Sequence, residues 1–332
     1  MHAHAGPRHP AYMVSVVLSI LVAGAAFFYP GKGAPTGTAG GTPPEAQDPP
    51  TVDAEQIMRD LSILAHDSME GRLSGTPGNE RARRFLVREF QTRGIAALEG
   101  ERTQSFTLTT GSGVPQTGTN VLGIIEGRDY RDRYIVVSAH YDHLGVREGS
   151  VYNGADDNAS GTAALLALGA FFVEHPLRHS LLLVAFDAEE TGLLGAQAFT
   201  SDPPVPLAQI RLNVNLDMVS RSETAELFAV GTHHYPSLAP LVQEVASRAE
   251  ISLLPGHDSP DLPGGDDWTY LSDQGAFHRA NIPFLYFGVE DHPDYHRASD
   301  TFEKIDPDFY VRVVETILDF IQVADRDLEP RN

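Results

Sequence analysis

The sequence predicts an α/β domain with helices on both faces of a mainly parallel sheet, and three observations lead there. Strand-length apolar runs alternate with helical patterns over residues 52–326. One of those runs, LLLVAF at residues 181–186, is apolar without a break, the pattern of a strand covered on both faces. Four of the runs end in groups able to ligate a metal or move a proton, as expected of a site at the carboxyl edge of an open α/β sheet.

In chain order, residues 13–29 (MVSVVLSILVAGAAFFY) are apolar and uncharged, follow Arg8 and precede Pro30. They read as an export signal, with Ala23-Gly24-Ala25 as a cleavage site, or as a single membrane anchor. Either way the rest of the chain is placed outside the cytoplasmic membrane: periplasmic, secreted or tethered to its outer side. Residues 30–51 are rich in Gly, Pro, Thr and Ala and lack the apolar residues needed to fold, so they read as a flexible linker. The catalytic domain is expected over residues 52–326, with 327–332 as a tail.

That domain begins with Val52, Ile57, Leu61 and Leu64 at helical spacing. A Gly-rich turn, GRLSGTPGN, separates it from a second helix at about residues 80–93, where Phe85, Leu86 and Phe90 share a face. Strands are predicted at residues 120–125, 134–139, 181–186, 211–216, 227–230 and 283–287. Helices are predicted at 161–173, 193–200 and 238–249. A final helix is capped by Asp306 with Pro307 in its first turn and buries Phe309, Val313, Ile317 and Phe320.

The chain of 332 residues contains no cysteine, which excludes disulfides, thiolate ligands and cysteine nucleophiles. Any metal must therefore be held by His, Asp and Glu. With 24 Lys and Arg against 45 Asp and Glu the formal charge is −21, which argues against a nucleic-acid surface. No Gly-x-Ser-x-Gly elbow, His-Glu-x-x-His helix or phosphate-binding Gly-Lys loop is present.

The strand at 134–139 delivers His140, Asp142 and His143, and the loop GADDN that follows carries Asp156 and Asp157. The strand at 181–186 leads to Glu189 and Glu190, that at 211–216 to Asp217, and that at 283–287 to His292, Asp294, Tyr295 and His296. Imidazole and carboxylate together suit zinc and its neighbours. Asp156 is expected to shape its turn or cap the helix beginning near Ser160. His143, His233, His234, His257, His278 and His292 are expected to be loop or surface histidines, and His292 is the main rival to His296 as a ligand.

Taken in order, LAHDSMEGRLSGTPGN, AHYDH, GADDNASG, AEETGLLGA, NLDMVS and YHRASDT closely resemble the zinc-dependent exopeptidases typified by bacterial leucyl aminopeptidase and aminopeptidase Y, across residues 61–321. The resemblance implies an α/β/α sandwich around a mixed sheet and two zinc ions per chain. It implies Asp157 as the bridge, His140 and Asp217 on one ion, and Glu190 and His296 on the other, with the YHRASDT context selecting His296. It further implies Glu189 as general base to a metal-activated hydroxide, Asp142 orienting His140 from behind, and Tyr295 at the oxyanion. The substrates would be peptides, cut at their amino-terminal residue.

Where many relatives have Ser-Asp-His before an aromatic, this chain has Ser272-Asp273-Gln274-Gly275-Ala276-Phe277. There is also no room for an inserted protease-associated domain. Alternative readings on the same fold are a glutaminyl cyclase, which uses one zinc and needs no His140 and Asp217 pair, and a carboxypeptidase, for which Arg279 or Arg297 would meet the free carboxylate. A non-enzymatic binding protein is the third, and an intact Glu189 argues against it.

Overall fold

The computed structural model describes residues 51–109, 115–259 and 266–328. The segments expected to act as export signal or anchor and as linker lie outside the described residues, except for its last residue, Thr51. Among the described residues no helix is long and apolar enough to cross a membrane.

The described residues form ten strands and seven α-helices. Helix α1 (Ala54–Leu64) is capped by the Asp53 carboxylate and buries Ile57, Leu61 and Leu64, as the spacing predicts. Helix α2 (Pro77–Thr92) starts three residues earlier than predicted, because Thr76 caps it and Pro77 fits its first turn. Strands β1 (Thr103–Thr109), β2 (Pro115–Ile125) and β3 (Tyr130–His140) follow. A small hairpin, β4 (Gly145–Arg147) and β5 (Ser150–Tyr152), precedes α3 (Gly161–Glu174). Next come β6 (His179–Phe186), α4 (Leu194–Ser201), β7 (Ile210–Leu216), β8 (Glu226–Val230) and α5 (Ala239–Ala246). The chain closes with β9 (Ser252–Pro255), α6 (Gln274–Arg279), β10 (Phe284–Gly288) and α7 (Pro307–Asp327).

The eight-stranded sheet has the order β1-β2-β6-β3-β7-β10-β8-β9. Its centre, β6-β3-β7-β10, is parallel throughout. The pairs β1-β2, β2-β6 and β8-β10 are antiparallel, so the sheet is mixed. Period-two alternation divides the unbroken apolar run of β6 between two cores. Leu181, Leu183 and Ala185 pack with α1, α2, α3 and α7 on one face, while Leu182, Val184 and Phe186 meet α4 and α6 on the other. The result is the α/β/α sandwich that the sequence predicts.

Sequence periodicity misses β1, the hairpin, β9 and α6. The hairpin strands, β9 and α6 are six residues or fewer, too short for a period to show, and α6 is held by burial of Ala276 and Phe277 rather than by helix propensity.

Arg72, in the Gly-rich turn, is completely buried. Its guanidinium donates to the carbonyls of Leu64, Tyr141, Asn153 and Gly154, clamping α1, the end of β3 and the loop before α3 into one unit. Burial lowers its pKa to about 10, against the pull of Asp157, Asp142, Asp300 and Glu190, so it stays charged at neutral pH. Replacing it by Met would remove this donor from the buried carbonyls of Leu64, Tyr141 and Asn153, while that of Gly154 keeps the Ala159 amide. Arg72→Met should lower unfolding stability by about 3 kcal/mol or more, read as a lower urea midpoint at unchanged slope in metal-free protein.

Candidate metal centre and active site

The four parallel strands are neighbours, so their carboxyl ends bring the candidate groups together. His140 is the last residue of β3, Asp217 follows β7 directly, Glu189 and Glu190 follow β6 after a short turn, and His296 lies on the loop beyond β10. Asp157 comes from the connection between β3 and α3. The backbone is left-handed at Ala188, Met218 and His296, each a non-glycine residue at or beside one of these groups, and at Gly154 before Asp157. Conformations of this kind cluster where a surrounding structure holds side chains to a purpose.

Asp157 presents its two oxygens to two different donor pairs. Oδ1 lies 3.4 Å from His140 Nε2, which is 3.3 Å from Asp217 Oδ1. Oδ2 lies 3.1 Å from His296 Nε2, which is 3.4 Å from Glu190 Oε2. Two ligands held tetrahedrally at zinc bond lengths stand about 3.3 Å apart. These separations are long for charge-assisted hydrogen bonds and right for ligands sharing an ion.

The electrostatics agree. Burial would lower His140, yet Asp217, Glu189 and Asp157 outweigh it and hold the imidazole well above its usual value. His296 is raised chiefly by its contact with Asp157. Burial pushes Glu190 up and Glu189 well above the usual carboxylate range, the latter reinforced by Asp217, Asp273 and Glu190 against the opposing pull of His140. Asp273 is driven to about 7 by burial, and neither of its oxygens has a hydrogen-bond partner. Crowded, dehydrated carboxylates of this kind are what divalent cations would neutralise, so the donor set fits such ions.

Glu189 offers an oxygen within 4.8 Å of ligand atoms on His140 and Asp217. Its amide donates to Asp142 Oδ1 at 3.0 Å. Asp142 therefore differs from expectation. His140 Nδ1 is 3.2 Å from the Asp142 carbonyl oxygen and 3.7 Å from its carboxylate, whose oxygens accept from the Glu189 amide and the Ser74 hydroxyl.

His143, expected to be a loop or surface histidine, lies in the loop after β3 and is fully buried there. Burial lowers it to about 3, so it is neutral, and Nδ1 donates to Glu190 Oε1 at 2.7 Å. That bond turns Oε2 of Glu190 toward His296. His292 is half-buried, and its Nε2 contacts Asp156 at 3.2 Å. Asp156 also accepts from the Ser220 amide and hydroxyl, consistent with shaping its turn. Asp300 was missed by sequence reading. Its carboxylate accepts the amides of both Asp156 and Asp157, fixing the loop from behind. Asn158 joins the same loop to β7 by donating to the Leu216 carbonyl. The signal for Asp300 and His143 was present, since both sit inside quoted motifs, but a carboxylate or imidazole in a loop does not reveal its partner.

The centre opens into a cavity of about 320 Å³ lined by His140, Asp157, Glu189, Glu190, Asp217 and His296 on one side and by Leu193, Met218, Tyr270, Leu271 and Tyr295 on the other. Tyr295 stacks on His296 at 3.9 Å between ring centroids, and burial raises its hydroxyl above the usual tyrosine value. Tyr270 and Leu271 are exposed at the rim.

A protein-family model, peptidase family M28, matches residues 120–321. Aminopeptidase YwaD of Bacillus subtilis is 31% identical over 224 residues, covering 64% of this chain and 46% of that protein. The chain spans about half the length of the curated relatives it matches. Among solved structures, the zinc aminopeptidase BSAP of Bacillus subtilis superposes with a TM-score of 0.67 at 17% identity, covering 81% of this chain and 95% of that one. Fimbriiglobus ruber glutaminyl cyclase gives 0.68 at 21% identity, over 85% and 99% of the two chains. At these identities the structural likeness concerns the fold.

Proposed function

Because the chain belongs to peptidase family M28, we propose that it is a dinuclear zinc aminopeptidase, removing amino-terminal residues from peptides outside the cytoplasmic membrane. The observation that carries this reading is the division of Asp157, with one oxygen toward His140 and Asp217 and the other toward His296 and Glu190. Each donor set is two side chains plus one oxygen of the shared Asp157 carboxylate, which would leave coordination positions open.

Zinc bound there would supply Lewis acidity and bring the pKa of a water from about 16 toward about 7. Glu189, with an oxygen close to His140 and Asp217, is the group that would take a proton from the attacking water and return it to the leaving amine. Tyr295 lines the cavity, and its hydroxyl is the group assigned to meet the oxyanion. Leu193, Met218 and Leu271 offer apolar surface to the substrate's side chain. The catalytic unit is residues 52–326, and residues 13–29 direct its export.

The likeness to a glutaminyl cyclase supports a second reading, an acyltransferase using one zinc on Asp157, Glu190 and His296. The intact His140 and Asp217 pair, 3.3 Å apart, favours two ions. Elemental analysis of zinc-loaded protein, with assays on an amino-acid anilide and on a glutaminyl peptide, separates the readings. The expected result is about two zinc per chain at this centre with anilide cleavage. One zinc at this centre with cyclisation of the glutaminyl peptide would replace the proposal by the cyclase.

A further inference from the structure

Gln274, the residue at which the chain departs from Ser-Asp-His, is fully buried behind the rim of the cavity. We infer that Gln274 is a positioning residue: it clasps the turn bearing Tyr270 and Leu271, the substrate-side wall of the cavity, to β7. Its effect on substrate rests on the function proposed above, while the clasp itself does not.

The carboxamide of Gln274 is used at both of its polar atoms. Nε2 donates to the Trp268 carbonyl at 2.8 Å, and Oε1 accepts from Asn215 Nδ2 at 3.0 Å. Asn215 is buried as well, donates to the Ser272 hydroxyl oxygen at 3.1 Å and accepts from the Ser138 hydroxyl at 2.7 Å. Ser138 and Asn215 are partners on β3 and β7, two residues before His140 and Asp217. The turn is thereby tied to the two strands that carry one donor pair of the metal centre. Buried amides that find partners at both ends specify one backbone arrangement around them, because any other leaves polar groups unpaired.

Two further contacts from α6 complete the support. Gly275 lies so close to Tyr270 that a Cβ there would stand 3.1 Å from Tyr270 Cα and 3.2 Å from its Cδ1. The Arg279 guanidinium covers the Tyr270 ring, 4.7 Å from its centroid. The Leu271 amide donates to the same Trp268 carbonyl at 3.1 Å, which closes the turn on the point that Gln274 holds. Tyr270 is 46% and Leu271 67% exposed, so their own burial is too slight to fix them.

Both residues line the cavity facing the metal donors. A loosened wall lowers the fraction of enzyme ready to take substrate and leaves those donors in place, so it raises KM and spares kcat.

Gln274→Met tests this, since it keeps the volume and removes both hydrogen bonds. Trp268 is the only tryptophan of the chain, so its emission reads the clasp whether or not a substrate is turned over. In the zinc-loaded full chain, acrylamide quenching of Gln274→Met should rise about threefold over wild type. KM for an amino-acid anilide should rise about fivefold, with kcat within about twofold and zinc content unchanged. Gln274→His should stay within about twofold of wild type in quenching and KM, because a neutral imidazole keeps one donor and one acceptor. Where Gln274→Met does not fold, Gly275→Ala carries the test: it leaves the clasp intact, presses on Tyr270 and should raise KM about twofold or more. Unchanged quenching in folded Gln274→Met would overturn the clasp. A fall in kcat or zinc content in place of the rise in KM, or an unchanged KM in Gly275→Ala, would remove the role in holding the substrate wall. A wild type without peptidase activity would strike the proposed function instead, and quenching alone would then decide the clasp.

Discussion

Glu189→Gln should leave the metal content unchanged and reduce kcat by about 10² to 10⁴-fold, the usual contribution of a positioned general base. Glutamine has the same shape, and the backbone amide at this position still donates to Asp142, so the turn between β6 and α4 keeps its course. The ions in the proposed scheme are held by other groups, including the neighbouring Glu190, which His143 keeps oriented. What is lost is the ability to take a proton beside His140 and Asp217. Steady-state kinetics with elemental analysis on the same preparation checks this. Turnover near that of wild type would remove Glu189 from the role of base.

Asp157→Ala has the larger structural consequence. Both donor pairs lose their shared carboxylate at once, and each keeps only two ligands. Zinc at the centre should fall from about two equivalents to near none after dialysis, with activity lost in parallel. Asp157→Asn serves as the control for folding, since it preserves volume and the two backbone amides bonded to Asp300 while halving the oxygen donors. Retention of both equivalents in either variant, by elemental analysis, would refute the bridging role. A loss confined to one equivalent would mean that the two donor pairs bind independently.

The architecture was legible to a considerable degree. Alternation of strand and helix patterns, the doubly covered run of β6 and the Asp306 cap with Pro307 appear where periodicity and capping rules put them. Boundaries shifted where a turn residue changed role, as at Pro77, which opens α2 rather than belonging to the turn before it. The short pieces β4, β5, β9 and α6 were not legible, because tertiary packing and not local pattern makes them.

The sequence by itself determined the chemistry available: no thiolates, and a His, a carboxylate pair, an Asp and a second His each close behind an apolar strand. Only the tertiary structure decided how those groups meet. The order β6-β3-β7-β10 sets four carboxyl ends side by side, and long-range pairing, which has no local signature, fixes that order. The fold likewise determined which histidines are buried. His143 and His292 look like any loop histidine in sequence, yet one orients Glu190 and the other meets Asp156, because an imidazole's role depends on what packs over it. His257 is the same case at a second place, set flat on Trp268 between two carboxylates that come from segments far apart in the chain.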